Sequence, residues 1–133
     1  MAFYRTREGA LTAADSFTAL GSLYGQSTTA AVQLPKQSTQ IVGIIATVAS
    51  DSATNGATTF AIQLSGDGLN NGQETFTIGS QGVDGTPASN GMTNMPFSLD
   101  VAIPVTGSNQ VSIAAAMDTD VGTCAVAVTL VLA

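Results

Sequence analysis

The chain has 133 residues and only 9% of them are charged, against about 25% in an ordinary soluble domain. That length fits one domain with a real hydrophobic core. A net charge of −6 without a basic cluster excludes a surface that neutralises a row of phosphates, so no nucleic-acid partner is expected.

Charge is also placed unevenly. Arg5, Arg7 and Lys36 are the only basic side chains, and residues 37–133 carry seven carboxylates and no cation. A surface this poor in ions is hard to keep soluble as an isolated particle, so much of it is expected to be covered by other subunits.

Taken in order, residues 1–36 read as an extended N-terminal arm. The segment is rich in Ala, Ser, Thr and Gly, with Phe3, Tyr4, Phe17, Leu20, Leu23 and Tyr24 scattered through it, and Leu11, Ala14 and Asp15 make at best a short, poorly amphipathic helix. It opens without an apolar core and small-residue cleavage site, so no secretory signal is expected. A strand at 31–34 before Pro35 is a further possibility. An arm laid across a neighbour would use Phe3, Tyr4, Phe17 and Tyr24 as apolar anchors, because aromatic rings bring the most buried area per residue. Arg5 and Arg7 would pair with carboxylates there. A flexible tail or a folded edge strand accounts for the same residues.

Residues 37–133 read as the body, with strands almost throughout. Positions 57–65 alternate, with Phe60, Ile62 and Leu64 on one side and Thr59, Ala61 and Gln63 on the other, the period of a half-buried strand. The same pattern recurs at Phe76 and Ile78, at Phe97, Leu99, Val101 and Ile103, and at Val111, Ile113, Ala115 and Met117. Runs 40–49 and 121–132 are apolar or small on both faces, as in a strand covered on both sides. Gly, Asn and Asp fill the turns between them. The expected fold is all-β, a single antiparallel sandwich, jelly-roll or immunoglobulin-like, since strand order is not written in a period-two pattern. No apolar run is long enough to cross a bilayer as a helix, and no membrane partner is expected.

Catalytic chemistry is read mostly from absences. Without histidine, Ser-His and Cys-His nucleophiles and His-ligated metals are ruled out, and the lone Cys124 excludes an intrachain disulfide. Asp118 and Asp120 sit in a turn, where paired carboxylates are ordinary turn formers. No phosphate-binding loop is present. No catalytic residue, metal site or cofactor is therefore expected. The segment from Gly66 to Glu74 is rich in oxygen donors but departs from the calcium-loop order, with Leu69 where Asp or Asn belongs. A hairpin with Asn71-Gly72 as its turn explains the same residues.

With its leading segment, strand-dense body, Leu64-Ser-Gly-Asp-Gly-Leu69 turn and closing Val126-to-Leu132 strand, the chain resembles the small β-sandwich proteins of virus particles. These are capsid decoration (cement) proteins and single jelly-roll capsid subunits. The resemblance implies a non-enzymatic subunit located in the virion, present as a homo-oligomer, trimer or higher, on a capsid lattice, and tying neighbours together through its arm. The arm lacks the basic run of a genome-binding subunit, which favours a decoration role. Two other readings share these features: a fibre or pilus subunit that adds a strand to its neighbour, and a sandwich that binds calcium or sugar at its loops.

Overall fold

The computed structural model describes residues 2–21, 31–50, 56–83, 93–118 and 124–133. Among these residues, nine strands build two antiparallel sheets: β1 (Phe3–Leu11), β2 (Thr18–Ala19), β3 (Ala31–Gln33), β4 (Gln40–Ser50), β5 (Gly56–Ser65), β6 (Gln73–Val83), β7 (Thr93–Pro104), β8 (Gln110–Met117) and β9 (Cys124–Leu132). The first sheet has the order β1-β9-β4-β7, and the second β2-β8-β5-β6 with β3 also on β8.

β2 and β3 occupy one lane beside β8, the former against Ala115 and Ala114, the latter against Ser112 to Gln110. Counted as one interrupted strand, they make eight strands in two interleaved four-stranded sheets, which is jelly-roll order. Only β5 and β6 are consecutive strands paired as a hairpin among the described residues. The immunoglobulin-like alternative is thereby set aside.

The core lies between the sheets, and the alternation in the sequence decides which side chains enter it. Val126, Val128, Leu130 and Leu132 of β9 and Ile41, Ile44, Ala46 and Val48 of β4 face Phe60, Ile62 and Leu64 of β5 and Val111, Ile113, Ala115 and Met117 of β8, all buried. Phe97, Leu99 and Val101 of β7 and Phe76 of β6 pack against that core while half-buried, as rows at sheet edges do. Cys124 is buried opposite Leu11, a small apolar filler.

The leading segment departs from the expected arm. All nine residues of β1 pair with β9, from Phe3 opposite Leu132 to Leu11 opposite Cys124. Residues 12–21 then cross to the second sheet, where Leu20 donates to the Ile113 carbonyl at 2.9 Å and is fully buried. Gly9 makes room for it, since a Cβ there would come within 2.9 Å of Leu20 Cδ2. Glu8 and Gly21 exchange two backbone hydrogen bonds, closing that side of the sandwich. The physical reason is the β9 edge. Without β1, Val128 and Leu130 would meet water along a row of unpaired peptide groups.

The far end of the sandwich is a knot of short loops. In the β5–β6 hairpin, Gly68 donates to the Gln110 carbonyl at 2.8 Å and Asn70 to that of Pro104 at 3.1 Å. Gly66 has φ +120°, and a Cβ there would lie 2.7 Å from the Gln110 oxygen; Gly72 has φ +81° with open space around it. Gly66→Ala is therefore expected to cost roughly 3 kcal/mol, combining backbone strain with a clash. Gly72→Ala should cost only about 1 kcal/mol, from the left-handed backbone alone. Urea denaturation of both variants measures the difference, and equal losses would contradict the packing described.

Candidate functional site

Two surface features of the described residues are candidates for a site: the outer face of the β1-β9-β4-β7 sheet and a cleft on the outer face of the other sheet. Both follow from the register. Residues alternating with the core-facing rows must point outward.

On the first sheet the outward row includes Tyr4, Thr6, Glu8 and Ala10 of β1, Ala125, Ala127, Thr129 and Val131 of β9, Gly43, Ile45 and Thr47 of β4, and Ser98 and Asp100 of β7. Tyr4 is 60% exposed and Ile45 39%. The Thr6 and Thr129 hydroxyls, 2.8 Å apart, share a hydrogen bond across the strands. Among the described residues of this face only Glu8 and Asp100 are charged, one on each edge strand. The centre is flat, small and uncharged.

Arg5 and Arg7 behave differently from the sequence expectation. Opposite the buried Leu130 and Val128, they lie on the inward side of β1 rather than reaching out to carboxylates. Arg5 donates through Nη1 to the Tyr4 carbonyl at 2.9 Å, and Arg7 through Nη1 to the Thr6 carbonyl at 2.8 Å. Arg7 also reaches the Ala31 carbonyl of β3 at 3.1 Å through Nη2, while its buried Nε has no partner among the described residues. With Glu8 already bonded to Gly21, the outward carbonyls of Tyr4, Thr6 and Glu8 are all engaged. Inward-pointing charge on an edge strand blocks pairing with another chain. The two arginines thus guard the β1 edge.

The other expected anchors divide. Phe3 packs against the core, Tyr4 stands on the outer face, and Phe17 lies in the cleft. Tyr24 lies outside the described residues, as does Asp120.

The cleft has a volume of about 380 Å³ and is lined by Asp15, Phe17, Thr59, Ala61, Thr77, Ala116, Met117 and Asp118. Its shape comes from one cross-strand row. Thr18 pairs with Ala115, which sets Phe17 beside Ala116; Ala116 pairs with Ala61, and Ala61 with Thr77. Two methyl groups form the floor between a ring and a β-branched hydroxyl. At one end, Asp15 is held with φ 55° by its N–H bond to the Met117 carbonyl at 2.8 Å. Asp118 Oδ1 accepts the Thr59 N–H at 2.8 Å. No cation lines the cleft, so its chemistry suits a positively charged or hydroxylated group and repels an anion. Sequence reasoning missed it, because Phe17 and Asp118 are remote in the chain and the two alanines carry no signal.

The oxygen-rich hairpin has other work. Asp67 Oδ1 accepts the Gln110 N–H at 3.1 Å, Asn70 Oδ1 accepts the Thr106 hydroxyl at 2.8 Å, and Glu74 Oε1 accepts the Asn71 amide at 3.0 Å. These oxygens secure loop to loop. Among the described residues no group of three or more metal-type side chains converges.

No protein-family model and no curated protein sequence matches the chain. Among solved structures, one of infectious bursal disease virus Gx strain aligns over 98% of this chain and 36% of its own, at 11% identity and a TM-score of 0.48. The CBM22-1–GH10 modules of a Clostridium thermocellum xylanase, complexed with xylohexaose, align over 96% of this chain and 25% of theirs, at 8% identity and a TM-score of 0.43. The C-terminal family 22 carbohydrate binding module of the Clostridium thermocellum enzyme aligns over 95% and 85%, at 12% identity and a TM-score of 0.42. The chain spans about a third or less of the first two.

The edge-guard role of the arginines has a direct consequence. Arg7→Ala is expected to lose about 1–2 kcal/mol, from two carbonyls left without their donor. The double variant Arg5→Ala/Arg7→Ala should raise thioflavin T fluorescence on incubation, because the bared edge then templates strand addition. Dye binding equal to the unmodified chain would count against the guard.

Proposed function

We propose that the chain is a non-enzymatic structural subunit of a virion shell, a capsid decoration or minor capsid component that works as a homo-oligomer seated on a capsid lattice. The observation that carries this reading is the outer face of the β1-β9-β4-β7 sheet, which among the described residues is charged only at Glu8 and Asp100 on its edge strands and exposes Ile45 on an interior strand and Tyr4 at its margin. A contiguous face of this kind marks an interaction surface. The contact proposed is a face, not a free arm, since β1 belongs to its own sheet.

Dimensions decide how such a face works. Four strands spaced at about 4.8 Å and nine residues long make an area on the order of 600 Å². A standard stable interface covers roughly 800 Å² per partner. One pairwise contact is then weak, and retention on a particle comes from repeated attachment of many copies. That is how a shell component is held. The fibre alternative needs a sheet edge open to strand addition, and the guarded β1 edge disfavours it there.

In this reading neither a genome nor a membrane is a partner, and no catalysis is involved. Arg7 is occupied by backbone carbonyls, which leaves no cationic row for phosphates.

Sedimentation velocity over a concentration series is expected to show reversible assembly of the full chain. Ile45→Asp should shift it to monomer at a stability cost of about 1 kcal/mol, since Asp is a poor strand former, which leaves the fold intact. A monomer at every concentration, or assembly indifferent to Ile45→Asp, would contradict the proposal.

A further inference from the structure

Resting on the shell reading, we infer that the cleft around Phe17 is a socket for Lys36 of a second copy, so that copies join head to tail. The two features lie at opposite ends of β8. Lys36 sits in the turn after β3, where Gln33 pairs with Gln110 and Leu34 donates to the Asn109 carbonyl. The cleft is built on Ala116, Met117 and Asp118. Eight residues of extended chain separate those ends by about 25 Å. Lys36 therefore cannot reach the cleft of its own chain.

Charge and shape both select it. Asp15 and Asp118 border the cleft and no cation lines it, in a molecule whose net charge is −6. Lys36 is the only lysine, is exposed, and has no ion-pair or hydrogen-bond partner for its ammonium among the described residues. Of the other two cations, Arg7 is held by the Thr6 and Ala31 carbonyls and Arg5 by that of Tyr4. The floor of Ala61 and Ala116 accommodates a lysine stem, which buries its methylenes and keeps its charge at the polar end. Phe17, 42% exposed, lines the same cleft as the two carboxylates. An ammonium over an aromatic ring gains most when desolvated.

The geometry is heterologous: one end of each copy meets the other end of the next. Such contacts close into a ring when the rotation permits and otherwise run on. The socket thus supplies an interaction distinct from the flat face of the first sheet, and a lattice needs at least two kinds of contact.

Zero-length carbodiimide cross-linking of the full chain, with a mixture of isotopically light and heavy protein, tests it by mass spectrometry. Lys36 and the N-terminal amine are the only amines in the chain, so the donor is unambiguous. The expected product is a mixed light–heavy peptide joining Lys36 to Asp15 or Asp118, absent in Lys36→Gln. That variant should also associate about tenfold more weakly, as should Asp15→Asn. Asparagine tolerates the left-handed backbone at position 15. Assembly with no such cross-link, a cross-link from the N-terminal amine instead, or unchanged association of Lys36→Gln would overturn the socket while leaving the shell reading standing. A chain that never assembles would remove both.

Discussion

Pairing of β1 with β9 is the interaction on which the rest of the molecule depends. It ties the first described residues to the last, satisfies the peptide groups along one side of β9, and leaves β9 as an interior strand between β1 and β4. Three results follow from that one ladder. Phe3 and Leu11 join the core, Arg5 and Arg7 come to the sheet edge, and Tyr4, Thr6 and Ala10 extend the outward face of the sheet.

The same ladder explains a composition that is otherwise awkward. A protein with so few ions has little to keep its flat faces apart, and its exposed sheet edges invite pairing. Here two of the three cations are spent on the backbone of a single edge strand. The third is left free at the loop end of the sandwich. Charge is scarce in this chain, and its three cations lie on β1 and in the turn after β3.

Much of the fold was legible in particular strands. In β5 and β8, apolar side chains alternate with Ala, Thr, Ser or Gln, and their inner rows are buried, as are those of β4 and β9, whose outer rows are also largely apolar or small. Strand β1 was not legible, for a physical reason. Its inward row reads Phe3, Arg5, Arg7, Gly9, Leu11, in which two cations guard the edge and a glycine yields space to Leu20. None of those three middle residues scores as apolar, so the period of two disappears. Strand order was equally hidden, because it is set by which edges meet across the sandwich, as where Glu8 finds Gly21. The turn at 66–72 was legible as a hairpin, and its oxygens turned out to bind neighbouring loops. The cleft was invisible, since its defining feature is the small size of the side chains at Ala61 and Ala116.

On the shell reading the outer face of the β1-β9-β4-β7 sheet, charged among the described residues only on its two edge strands, is covered in the working state. Hydroxyl-radical footprinting across a dilution series measures this most directly, through the oxidation rates of Tyr4 and Ile45. Both should label fast in dilute protein and severalfold more slowly as the chain assembles. Rates that stay constant through assembly would show that this face remains open to water and is not the one that copies share.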